Sequence, residues 1–192
     1  MVKRFKHEVP SHQKFTLCAK FGAVFAGLLL PVTWFAVVQE EYVTLAPPHI
    51  TPSKLMSYSE KLEFTSKYFV LIGIWIAINV LLVAIQRSWT NRLNPTEDGS
   101  TPEVDKWNQI LRNSIEQSVL VIVTQMALLS YLDGNLVLKL VPLVNIGWFV
   151  GRLLFAIGYP MHRGFGWILN YYLTLTLLTY AIYNFGRFYQ LY

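Results

Sequence analysis

The sequence predicts an all-α integral membrane protein with five transmembrane helices. Three observations carry this prediction. Several stretches run 18 residues or more with little or no charge. The composition is 54% hydrophobic and only 14% charged, against about 25% charged in ordinary soluble domains. Mean hydropathy is +0.38. A disordered chain is excluded, because that state needs low hydrophobicity and high charge. The net charge of +5 is small and sits beside apolar runs, so it reads as membrane orientation and not as a nucleic-acid surface. A single cysteine, Cys18, excludes an intramolecular disulfide framework and a cysteine-rich metal site.

The elements follow in order. Residues 1–14 form a basic head, with Lys3, Arg4, Lys6 and Lys14 against Glu8. Residues 15–39 hold a first helix built on Phe21–Val38, 18 residues without charge. A span needs about 20 mostly apolar residues to cross about 30 Å of hydrocarbon. This run exceeds the usual signal-peptide core and contains Pro31, which predicts a kink, so the helix is expected to be retained. Residues 40–66 form a loop with Glu40, Glu41, Glu60 and Glu63. Residues 67–192 hold the other four helices. Tyr68–Ile85 is uncharged, Leu136–Tyr159 carries only Lys139 and Arg152, and Trp167–Gly186 carries no charge. Between them Ser118–Leu132 is apolar but short. It spans only if Leu111–Gln117 enters too, giving a helix over roughly Trp107–Leu132 with a polar start. No strand, dinucleotide-binding glycine pattern or phosphate loop remains to be placed.

Charge bias sets the orientation. The basic head puts the N-terminus in the cytoplasm, and Lys20 can snorkel to that interface. Alternation then puts residues 40–66 outside and Arg87–Lys106 back in the cytoplasm. The Asn94-Pro95-Thr96-Glu97-Asp98-Gly99 stretch is turn chemistry. Asp133-Gly134-Asn135 is expected to be a tight outer turn, and Pro160–Gly166 a short cytoplasmic one.

Ionisable groups inside a span cost a few kcal/mol on insertion scales, so each calls for a partner or a purpose. Arg112, Asn113 and Glu116 lie at i, i+1 and i+4 near the cytoplasmic mouth of one helix and share a face. Arg152 lies seven residues before Tyr159, about 10 Å along the next helix. Arg152, Phe155 and Tyr159 form one stripe, and Arg163 follows in the next turn. Polar groups from three helices thus converge on one membrane level. Guanidiniums, an amide, a carboxylate and a phenol suit a small zwitterionic peptide, since arginine grips carboxylates in a bidentate fork. An internal pairing of Glu116 with Arg112 or Arg152 explains the same residues equally well.

Other residues have plainer readings. His7, His12, His49 and His162 lack metal-ligand spacing and read as solvated, so no metal site is expected. Cys18 reads as a buried thiol ahead of a palmitoylation site. Asn79 and Gln125 are expected to bond across helices, and Gly147 with Gly151 to permit close helix approach.

The chain also resembles the membrane-associated proteins in eicosanoid and glutathione metabolism, the MAPEG family, over roughly residues 67–188. Arg112-Asn113-Ser114-Ile115-Glu116, the Arg152…Tyr159 helix end and His162-Arg163-Gly164-Phe165 carry the resemblance. It implies a MAPEG-like four-helix bundle, with the first helix an addition. It implies a homotrimer that binds glutathione between subunits near the cytoplasmic face. Arg112, Asn113, Glu116, Arg152, Tyr159 and Arg163 inherit binding roles, and Arg163 the thiol-facing catalytic role of active members. If active, the chain would be a glutathione transferase or peroxidase acting on lipophilic small molecules from the bilayer, in an endomembrane such as the ER, Golgi or lysosome. Gln109, Phe155 and Trp167 depart from the pattern of active members. They favour the alternative, a non-catalytic protein working through membrane-protein partners in secretory or lysosomal traffic. A transporter ranks third, because no inverted repeat is evident.

Overall fold

The computed structural model describes residues 17, 20–25, 27–28, 31–32, 47–55, 57–90, 100–160 and 162–190. Among them there are four complete helices, α1 (Tyr58–Trp89), α2 (Pro102–Leu128), α3 (Gly134–Ile157) and α4 (Gly164–Phe188), and no strand. A short 3-10 turn, Pro52–Lys54, precedes α1. α1, α3 and α4 are long and apolar enough to cross a membrane. The chain is an integral membrane protein.

Local chemistry sets the helix starts. Ser57 and Glu60 close a capping box, Ser57 N donating to Glu60 Oε2 at 2.8 Å and Glu60 N to Ser57 Oγ at 3.3 Å. α1 therefore begins well before its uncharged run. Thr101 caps α2, with Pro102 opening the helix and Glu103 and Asp105 in its first turn, where the dipole favours acids. α2 thus starts earlier than the apolar pattern implied and ends at Leu128. Asp133 caps α3 by accepting from Leu136 N at 2.8 Å. Gly134 and Asn135 are consequently the first turn of α3, not the tight turn expected of them.

α1 packs on α2 and α3, and α4 packs on α3 and α2. α2 and α3 face each other across the bundle and are joined by side-chain hydrogen bonds. Gln125 and Asn145 join their amides, Asn145 Nδ2 donating to Gln125 Oε1 at 2.8 Å. Asn79 does not cross between helices as expected. Its Nδ2 donates to the Trp75 carbonyl of its own helix at 2.7 Å. Trp75 makes the crossing instead: Nε1 donates to Ser114 Oγ on α2 at 2.9 Å, and the ring meets Phe149 on α3 edge-on at 5.9 Å.

α3 and α4 cross almost backbone to backbone. A Cβ at Gly166 would come within 2.5 Å of the Gly151 carbonyl oxygen, and one at Gly151 within 2.5 Å of Asn170 Nδ2. Only glycine fits at Gly166, because the obstacle is backbone. Gly147 is not at the tight point, since a Cβ there would find Leu173 at an ordinary 3.6 Å.

Most of the first span, residues 15–39, lies outside the described residues. Those that are described in it are helical, and two of them, Gly22 and Phe25, meet the start of α4. Gly22 is buried against Phe165 and Ile168, and the Phe25 and Phe165 rings lie 5.3 Å apart.

Candidate functional site

The bundle opens where α2 begins, α3 ends and α4 begins. A cavity of about 490 Å³ lies between these helices, within the usual range for a small-ligand site. α2 contributes Gln109, Arg112, Asn113 and Glu116, which share a face at helical spacing. Phe155 comes from the last turn of α3, and Tyr159 from the turn after it. Arg163 is the N-cap residue of α4, and Trp167 stands one turn further along.

The turn between α3 and α4 brings Tyr159 and Arg163 together. It is tight at Gly158, where a Cβ would come within 2.8 Å of the His162 carbonyl. The Arg163 guanidinium lies over the Tyr159 ring, 5.1 Å from its centroid. It stands at the positive end of the α4 dipole, which has no side-chain cap. The Tyr159 ring in turn meets Phe155 edge-on at 6.0 Å. Trp167 stacks on Tyr171 at 5.2 Å, a flat aromatic surface running from the cavity towards the exposed side of α4.

Two polar bonds span the cavity walls. The Tyr159 hydroxyl donates to Gln109 Oε1, linking the α3–α4 turn to α2. Arg152 Nη1 donates to Asn113 Oδ1 at 2.6 Å, linking α3 to α2. Glu116 accepts from Arg112 Nε at 3.2 Å, with side chains 56% and 84% exposed. Such exposed i,i+4 pairs are worth only a few tenths of a kcal/mol and part readily. Of the two internal pairings open in the sequence, Glu116 therefore makes the Arg112 one.

Arg112, Asn113, Glu116, Tyr159 and Arg163 thus line one cavity. Arg152 does not. It is fully buried behind Asn113, its guanidinium packed over the Phe155 ring at 4.7 Å. Its Nε and Nη2 have no hydrogen-bond partner among the described residues. A buried guanidinium held by one amide is a large uncompensated positive charge beside the cavity. The sequence put Phe155 on the stripe of Tyr159, but Gln109 and Trp167 stood there only as departures, and both belong to the lining. The spacing held the signal. Gln109 lies four residues before Asn113, and 155, 159, 163 and 167 repeat every four residues.

The arrangement is rich in donors and holds one carboxylate. It can bind an anion carrying an ammonium. Among the described residues no group of three His, Cys, Asp or Glu side chains could hold a metal ion.

Comparison with known proteins agrees at the level of family. No curated protein and no solved structure matches the chain. The model of the MAPEG family matches residues 64–183, which takes in all of the cavity lining and most of the length of α1 to α4. The chain belongs to the MAPEG family.

Proposed function

We propose that the cavity binds glutathione, near the cytoplasmic face and between subunits of a homotrimer. One observation carries the reading: Arg112, Asn113, Glu116 and Arg163 from two different helices converge on one cavity beside the buried charge of Arg152. The residues present fit the ligand by chemistry. Arg112 offers a fork for one of its carboxylates. Glu116 offers the only carboxylate in the lining for its ammonium. Arg152 adds positive potential from behind Asn113.

Glutathione would supply a nucleophilic thiol. A free thiol is mostly protonated at neutral pH, and a neighbouring guanidinium and a helix N-terminus both favour the thiolate. Arg163 is both, so it is the residue proposed to act on the thiol. Trp167 and Tyr171 would face a lipophilic second substrate arriving from the bilayer. This is the transferase or peroxidase reading. Thermal shift with glutathione in detergent tests binding. Conjugation and peroxidase assays on the purified protein test turnover, which Arg163→Ala should abolish while the helices stay folded.

A second reading is favoured by Gln109, Phe155 and Trp167, which stand in the lining in place of residues found in active members of the family. On this reading the chain is a mattrin-like, non-catalytic member. Ile115-Glu116-Gln117-Ser118-Val119, Leu138-Lys139-Leu140-Val141-Pro142-Leu143 and Arg163-Gly164-Phe165-Gly166 support that likeness, as does the added leading helix. It would act through membrane-protein partners in Golgi or lysosomal traffic and receptor delivery. Binding without turnover, in a protein that remains folded, supports this reading over the first.

A further inference from the structure

We infer that Arg152 and Tyr159 are positioning residues that turn two cavity amides, Asn113 and Gln109, with their NH2 groups toward the ligand. The inference rests on the proposed glutathione site and deepens it by saying what makes the site choose carboxylates.

Hydrogen-bond valence sets the orientation of the amides. A side-chain amide has one oxygen that accepts and one nitrogen that donates, on opposite branches. A guanidinium can only donate. The bond from Arg152 Nη1 at 2.6 Å therefore takes the oxygen of Asn113, which leaves Nδ2 for the cavity that Asn113 lines. Arg152 is fully buried and cannot swing away to release it. The Tyr159 hydroxyl likewise donates to Gln109 Oε1, leaving Gln109 Nε2 as the branch available to a ligand. The two amides lie on one face of α2, four residues apart. Together with Arg112 and Arg163 they make a recess of N–H donors. Gln109 then serves as a neutral donor to an acceptor-rich anion, in the orientation its bond from the Tyr159 hydroxyl gives it. The consequence is a preference for free carboxylates over their esters.

The test uses the full chain purified in detergent, titrated calorimetrically with glutathione and with glutathione diethyl ester. Asn113→Asp keeps an oxygen for Arg152 but presents a second oxygen to the cavity. It should weaken glutathione binding at least about tenfold and erase the preference over the ester. Tyr159→Phe frees Gln109 to rotate and should cost several-fold. Gln109→Arg on that background should restore binding, because a guanidinium donates without being oriented. Gln109→Arg should gain more on that background than in the unaltered chain, and equal gains in both would mean a merely structural Tyr159. Unchanged affinity in Asn113→Asp, or no recovery in the double variant, overturns the inference.

Failure of the glutathione reading looks different, since the unaltered protein would then give no saturable heat. The orientation at Asn113 is in that case decided by melting alone. Asn113→Asp should melt no lower than the unaltered chain, and Asn113→Leu clearly lower. The reverse order overturns the inference without reference to any ligand.

Discussion

The two ends of the bundle are built on opposite plans. At the end where α2 turns into α3, Leu128, Leu129, Leu132, Val137 and Leu138 are buried together. The polar groups there find their partners inside the protein. Lys61 Nζ donates to the Leu132 carbonyl at 2.6 Å, and Asp133 caps α3. At the other end the helices part around a cavity, and the polar groups reach across from helix to helix. Arg152 is buried with a single amide partner, and the exposed pair Arg112–Glu116 has neither side chain enclosed. The first end resembles an ordinary closed core. The second keeps charge and donor capacity unspent, as a binding site requires. What separates them is less composition than partnering: one end completes its hydrogen bonds within the protein, and the other leaves some for a ligand.

The sharpest way to break the contrast is to force the ends to the same spacing. Gly166→Ala places a Cβ against the Gly151 carbonyl and should push α4 off α3, costing about 3 kcal/mol. Thermal unfolding in detergent would measure it, and glutathione binding should fall with it.

A subtler change removes the unspent charge. Arg152→Met keeps bulk behind Asn113 but deletes the buried cation. The melting temperature of the ligand-free protein should hold or rise, since an uncompensated buried charge is costly. Glutathione affinity should nevertheless fall about tenfold. A fall in both would mean that Arg152 serves the fold first.

At the closed end the effects should be smaller and confined to stability. Asp133→Ala removes the α3 cap and should cost about 1 kcal/mol with no change in ligand affinity. Smallest of all is Lys67→Ala. It breaks an exposed i,i+4 pair with Glu63 at 2.8 Å, worth about 0.3–0.5 kcal/mol. A loss of ligand binding in either variant would remove the distinction between the ends.

Much of this was legible in the sequence because membrane depth constrains it strongly. Long apolar runs with little or no charge located α1, α3 and α4, and helical spacing put Arg112, Asn113 and Glu116 on one face. Loop charge and helix length brought Tyr159 and Arg163 to the same level. What stayed hidden depends on rotation and partner choice, which periodicity does not encode. Arg152 could point into the cavity or behind it, and packing over Phe155 turned it behind. Gln109 looked like a lost charge until the Tyr159 hydroxyl was found on its oxygen. A close helix approach was expected at Gly147 and Gly151, with no partner helix named, and its tightest point pairs Gly151 of α3 with Gly166 of α4. This approach uses a glycine from each helix, and a motif on one helix names only half of it.

The central claim is that the open end binds an acidic thiol peptide through its arginines. The most direct measurement is calorimetric titration of glutathione into the purified protein beside an Arg112→Ala, Arg163→Ala double variant. The account predicts saturable binding that weakens about a hundredfold or more when both guanidiniums are gone. Absence of saturable binding, or equal affinity in the double variant, would contradict it.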